Sequence, residues 1–288
     1  MIKILATAFI VIYFSAIDIG KAHAKEFVIG YLEGDWSFQE GWGEHPGDMK
    51  NLKEYSPHRP IDGARVGLRR VVELMDRHSI PASFFIPAVS LILSPDMVEV
   101  IQKSGRHEFG VHGWVHELNS ALDAETERDL VLRATNYLEK VTGRRPIGYR
   151  APSWNFSPNT LDIIKSLGFL YDSSLMSDDR PYELLQNGNP TGLVELPVEW
   201  ILDDAPLMNP LGDRYTSPRE LLQVYIDEFD KAYEEGTMFL LTTHPHIIGH
   251  RSRILILEKL IDHIKTKEGV WFGTHEEAVR YVKEQAGW

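Results

Sequence analysis

The sequence contains no cysteine, so no disulfide framework holds the fold together. It is also short of basic residues, with 30 Lys and Arg against 42 Asp and Glu and a net charge of −12. That balance argues against an electrostatic grip on nucleic acid or anionic lipid and indicates a solvated acidic surface. No internal repeat, low-complexity tract or convincing linker interrupts the 288 residues, and 43% hydrophobic with 25% charged residues excludes a disordered or collagen-like chain. A single domain with a sizeable core is the expectation. Beyond the first residues, no apolar run is long enough to span a bilayer.

Those first residues have the three-part pattern of a secretory signal peptide. Lys3 supplies a basic start, Ile4 to Ile17 an apolar run, and Ala22-His23-Ala24 a small-x-small cleavage site. The run is short for a membrane span, although an uncleaved anchor or a buried helix is the alternative. Residues 1–24 are therefore expected to be removed. The mature chain 25–288 is then exported, to the periplasm or beyond, with no stable membrane insertion.

The mature chain alternates short apolar runs with helical patterns. Strands are expected at 27–32, 82–86, 108–112, 148–150, 171–173, 193–196 and 238–242. Helices are expected at 67–78, 95–104 with Ser94 as cap, 124–142 ended by Gly143, 157–167, 217–234, 253–265 and 276–284. Gly34 to Asp62, rich in Gly, Pro, His and charge, reads as a long functional loop. The alternation implies an α/β fold of parallel strands with crossover helices. Seven or eight such units favour a closed or partly closed barrel, whose active site sits at the C-terminal ends of its strands.

Chemistry-bearing residues fall at those ends. His112 and His116 lie four apart after a strand, and a helical turn there would face both imidazoles one way at metal-binding separation; a solvated pair is the alternative. Glu33-Gly34-Asp35 closes the first strand with two carboxylates on alternate positions, suited to metal binding and proton transfer or else a plain polar turn. His244 follows the buried run Met238 to Leu241. It is placed for acid/base work or for a backbone bond at the core edge. Arg150 is positioned to hold a carboxylate, catalytic or structural, and Asp172 to orient a histidine ring or cap a helix. Trp114, Trp154 and Trp200 suit either pocket walls or core.

Five stretches occur in a recognisable order: His112-Gly113-Trp114-Val115-His116-Glu117, Tyr149-Arg150-Ala151-Pro152-Ser153-Trp154, Tyr171-Asp172-Ser173-Ser174-Leu175-Met176, Leu196-Pro197-Val198-Glu199-Trp200-Ile201-Leu202-Asp203-Asp204 and His244-Pro245. With them the chain resembles the NodB-homology polysaccharide deacetylases, carbohydrate esterase family four, from about Glu26 to Val282. Within that family it looks closest to the branch of the Helicobacter-type peptidoglycan deacetylases and the metal-independent allantoinases and cyclic imidases.

The resemblance implies a distorted (β/α) barrel and a divalent metal held by Asp35, His112 and His116. Zinc suits such ligands; cobalt, nickel and manganese are alternatives. It also implies Glu33 as base, Arg150 to orient that base, His244 as acid and Asp172 to support His244. Asp203 and Asp204 are read as pocket lining or subunit contact, and relatives in this branch imply a homo-oligomer.

The base position usually holds Asp, so Glu33 is a departure, and a shifted register would make Glu33 a ligand instead. The implied reaction is hydrolysis of non-peptide C–N bonds, foremost N-deacetylation of peptidoglycan or chitin-type amino sugars. Hydrolysis of small cyclic amides and non-catalytic sugar binding are the alternatives.

Overall fold

The computed structural model describes residues 26–33, for which the backbone alone is described, together with 63–208 and 215–287. The expected signal peptide, 1–24, and the stretch 34–62, expected as a loop, lie outside these residues.

Nine strands form one sheet: β1 (Glu26–Glu33), β2 (Ser83–Ile86), β3 (Glu108–Val111), β4 (Gly148–Tyr149), β5 (Tyr171–Asp172), β6 (Tyr182–Gln186), β7 (Asn189–Glu195), β8 (Met238–Thr243) and β9 (Val270–Gly273). The spatial order is β6-β7-β5-β4-β3-β2-β1-β8, with β9 added on β1. Every pairing is parallel except that of β6 with β7. β8 runs along one edge of β1 from Phe27 to Leu32, so β9 and β2 share the other edge in succession.

The order leaves a gap between β7 and β8. A parallel bridge from Asp203 to Thr242 spans it, and Val194, Leu196 and Val198 pack in one cluster with Met238 and Leu240. This is the partly closed barrel that the alternation favoured, in the distorted form that the family resemblance implied.

Two departures stand out. The β6–β7 hairpin is antiparallel and turns at Asn187-Gly188, both at positive φ (50° and 78°). Asn-Gly is the preferred pair for such a turn. The helix expected at 95–104 runs over Asp96–Gln102, and an additional helix, Ala88–Leu93, precedes it. Ser94 ends the additional helix and does not cap the expected one, because Pro95 takes that place.

Elsewhere local caps fix the helix ends. Asp123 accepts from Thr126 N–H to start the helix Ala124–Thr142, and Gly143 at φ 78° ends it. Thr274 and Glu277 form a capping box on the helix His275–Ala286. No helix among the described residues is long and apolar enough to cross a membrane.

Inside the barrel, Phe85 makes edge contacts with Tyr171 and His275, at centroid distances of 6.2 and 5.1 Å. These rings fit only because Gly110 and Gly148 carry no side chain. A Cβ at Gly110 would overlap the Phe85 ring, and one at Gly148 the Tyr171 ring and hydroxyl. Gly148→Ala is therefore expected to destabilise the protein by about 1–3 kcal/mol through overpacking. Urea denaturation followed by tryptophan fluorescence measures this, and an unchanged midpoint would mean that Tyr171 moves aside at no cost.

Candidate active site

β3 hands the chain to His112-Gly113-Trp114-Val115-His116-Glu117, which forms a bend and not the expected helical turn. Gly113 sits at φ 74°, where an added Cβ would come within 2.8 Å of Pro152 and 3.0 Å of the Glu117 carboxyl. His116 is left-handed at φ 69°, a conformation costing a non-glycine residue about 1–3 kcal/mol.

The bend is held from both sides. The Glu117 carboxylate folds back to accept N–H bonds from Trp114 (2.9 and 3.0 Å) and Val115 (2.8 Å). The Gly113 and Trp114 carbonyls accept from Ala88 and Val89, at the start of a helix (3.2 and 2.9 Å). Burial raises the Glu117 pKa, against the pull of these N–H groups. The His112 and His116 rings are thereby brought to a centroid distance of 4.7 Å, crossed at 75° and buried. The pairing read from the sequence is present, but a carboxylate-stapled bend produces it.

His112 Nδ1 lies 2.9 Å from the Arg150 carbonyl oxygen. A carbonyl only accepts, so Nδ1 carries the hydrogen and Nε2 keeps its lone pair. This is the usual arrangement behind a metal-ligating imidazole, so the donor set fits a divalent cation. Asp35, expected as the third ligand, lies outside the described residues.

Arg150 follows β4 and is fully buried. Its Nη1 donates to Thr242 Oγ1 (3.1 Å), and its Nη2 to Ser173 Oγ (2.5 Å) and His275 Nε2 (3.2 Å). The guanidinium lies 4.7 Å over the Phe85 ring. Burial first, and the Arg150 charge second, hold His275 well below the ordinary histidine pKa. Glu33, the expected base, ends β1 in backbone register with Phe85.

His244 leaves β8 fully buried, with Nδ1 2.6 Å from Asp204 Oδ1 and 3.5 Å from Asp203 Oδ1. Its backbone N–H donates to both Asp204 oxygens, at 3.0 and 3.1 Å. The expected support from Asp172 is thus corrected to Asp204. The reason is topological: β5 and β8 are far apart in the sheet, whereas the segment after β7 is drawn onto β8 by the Asp203–Thr242 bridge. Asp172 instead accepts from Ser174 N–H (2.9 Å) and its hydroxyl (3.0 Å). Reading Asp203-Asp204 as pocket lining or subunit contact missed this; two adjacent carboxylates just before a turn at a strand-end rim were the available signal. Ligand atoms of Asp203, Asp204 and His244 lie within 4.8 Å of one another, close enough to hold a cation. The bonds from Asp204 to both the ring and the main chain of His244 favour an oriented imidazole.

Paired imidazoles, a fixed guanidinium and a carboxylate-held histidine on one rim are equipment for hydrolysis. The comparisons with known proteins agree. Residues 62–171 match the family model described as polysaccharide deacetylase. The peptidoglycan deacetylase of Helicobacter pylori is 32% identical, over 90% of this chain and 98% of its own. A solved Mycobacterium smegmatis chain assigned to the polysaccharide deacetylases is 27% identical with a TM-score of 0.81, covering 92% of this chain and 93% of that one. A PuuE allantoinase, 22% identical, shares the fold with a TM-score of 0.77 over 93% of each chain. This chain belongs to the polysaccharide deacetylase family, hydrolases of carbon–nitrogen bonds other than peptide bonds.

Asp204→Asn is expected to lower kcat by about 10²- to 10⁴-fold with little change in KM, because it weakens the carboxylate hold that orients the His244 ring. Steady-state acetate release measures this, and a change confined to KM would reassign Asp204 to substrate binding.

Proposed function

We propose that the protein removes N-acetyl groups from an amino-sugar polymer of peptidoglycan or chitin type, outside the cytoplasm, with the help of a divalent cation. The observation that carries this reading is the tautomer imposed on His112 by the Arg150 carbonyl, with the His116 ring 4.7 Å away. His112 and His116, with an acidic residue from the end of β1, would hold the cation. When bound, it supplies Lewis-acid activation of water and stabilises negative charge developing on oxygen. Zinc suits two imidazoles and a carboxylate, with cobalt, nickel or manganese as substitutes.

The chain's own groups complete the chemistry. Glu33 takes a proton from the water that attacks the amide carbon, and Arg150 keeps that carboxylate ionised and aimed. The C–N bond breaks as His244 gives a proton to the departing amine, so that acetate and a free amino sugar leave. Asp204 steadies the imidazolium of His244 before the transfer.

Preference for a sugar polymer over a small cyclic amide is supported by the rim. Trp200, 49% exposed, rests on Trp154 at a centroid distance of 4.3 Å, while Leu118 and Met176 leave 52% and 36% of their surface open. All four follow the C-terminal ends of strands. Exposed aromatic and aliphatic surface on these turns suits the C–H faces of neighbouring sugar rings.

The test is metal content of the mature protein, together with acetate release from peptidoglycan and N-acetylglucosamine oligomers with and without chelator. One cation and chelator-sensitive acetate are the expected result; turnover of a cyclic imide without acetate would replace this reading. His112→Ala is expected to lose cation and activity together, while His244→Ala keeps the cation. Loss of the cation in His244→Ala would move the metal to the Asp203–Asp204–His244 cluster. Trp200→Ala is expected to raise KM for oligomers about tenfold, or ~1.4 kcal/mol, and to leave the shortest substrate unaffected.

A further inference from the structure

Asp172 and Glu195 are register partners at the C-terminal ends of β5 and β7, and both are fully buried. Asp172 accepts from the Ser174 N–H and hydroxyl. Glu195 Oε1 accepts from the N–H groups of Ser174 (2.8 Å) and Leu175 (2.9 Å). Glu195 Oε2 is buried, and no described group donates to it. The two carboxyls lie side by side, because Asp172 Oδ2 and Glu195 Oε1 both reach the Ser174 N–H, at 2.9 and 2.8 Å. Two adjacent carboxylates in a dry site cannot both be ionised, so one proton must lie between them. Placed on Glu195, that proton makes Oε2 a donor to Asp172 and satisfies both groups.

What the pair holds is the turn that fixes Arg150. Ser173 Oγ donates to the Leu196 carbonyl (2.6 Å) and so presents its lone pair to Arg150 Nη2 (2.5 Å). Ser174 Oγ donates to Asp172 and accepts from the Ala151 N–H (2.9 Å), the residue after Arg150. Each bond in this chain has one direction, because the Arg150 guanidinium and the Ala151 N–H only donate while the Leu196 carbonyl and the Asp172 carboxylate accept.

We infer that Glu195 and Asp172 act as one acid–carboxylate pair whose task is to position Arg150. The inference rests on the deacetylase reading only for the role of Arg150; the shared proton is independent of it. Burial raises the pKa of both members, Asp172 to about 6 and Glu195 well above the ordinary glutamate range. The charged or titratable groups around them are Arg150 after β4, Tyr149 on β4 and Tyr182 on β6. Both tyrosines are pushed upward by burial and stay neutral.

The sign follows from linkage. The folded chain keeps protons that the unfolded chain loses above about pH 4, so their contribution to stability is complete below that pH and lost as pH rises through the folded values.

Glu195→Gln and Glu195→Ala separate the possibilities. Gln reproduces a permanently neutral Glu195, with an oxygen that accepts and an N–H that donates to Asp172. It is expected to keep kcat within about threefold and to gain melting temperature relative to wild type between pH 5 and pH 8. Ala is expected to lower kcat about 10- to 100-fold, with KM within threefold. Equal loss of kcat in both variants, or a Gln variant whose melting temperature tracks wild type at every pH, would overturn the shared proton. An Ala variant with wild-type kcat and only a lower melting temperature would overturn the positioning role. If wild type releases no acetate, the deacetylase reading fails alone, because the melting series still reads the proton.

Discussion

A guanidinium cannot be taken out of water unless the chain rebuilds its solvation, and Arg150 is fully buried in the mouth of the barrel. Its donors reach Thr242 on β8, Ser173 after β5 and His275 after β9, and its face lies on Phe85 of β2. Its carbonyl sets the tautomer of His112 after β3. One residue thus joins the two histidine-bearing sides of the rim. The Ser173–Ser174 turn, the neutral His275 and the glycines that admit Phe85 and Tyr171 all serve that placement.

The rim also stores backbone strain. His116, Ser153 and Trp154 are non-glycine residues at positive φ of 69°, 52° and 52°. Each is retained because the surroundings over-determine it. The Glu117 staple compels His116, and Trp154 is pinned against Trp200. The parallel strands below supply the stiffness, since their register aligns the strand ends from which these turns depart. Strain at the rim above a regular sheet is the pattern of a site that trades stability for preorganisation.

Much of the scaffold was legible in the chain. The helix Ala124–Thr142 agrees to the residue, because a capping Asp, an apolar stripe and a terminal Gly are local signals. The β6–β7 hairpin carried an equally local signal at Asn187-Gly188, which went unread against the surrounding parallel pattern. β9 was missed for a different reason: its residues at 270–273 are only partly buried over most of their length and pack against β1, distant in sequence. His112, His116, Arg150 and His244 were picked out because each follows a strand, and strand ends converge in a parallel barrel.

The sequence by itself determined which residue types reach the rim, since strand periodicity and local caps depend on near neighbours. The tertiary structure alone decided who holds whom. Asp204 and not Asp172 supports His244 because the barrel closes between β7 and β8, a contact between segments nearly forty residues apart. The His112–His116 pairing arises from a bend stapled by Glu117, because hydrogen bonds to the neighbouring helix and to Arg150 outweigh local helix propensity. Glu195 meets Asp172 through strand pairing across 23 residues, beyond the reach of any periodicity.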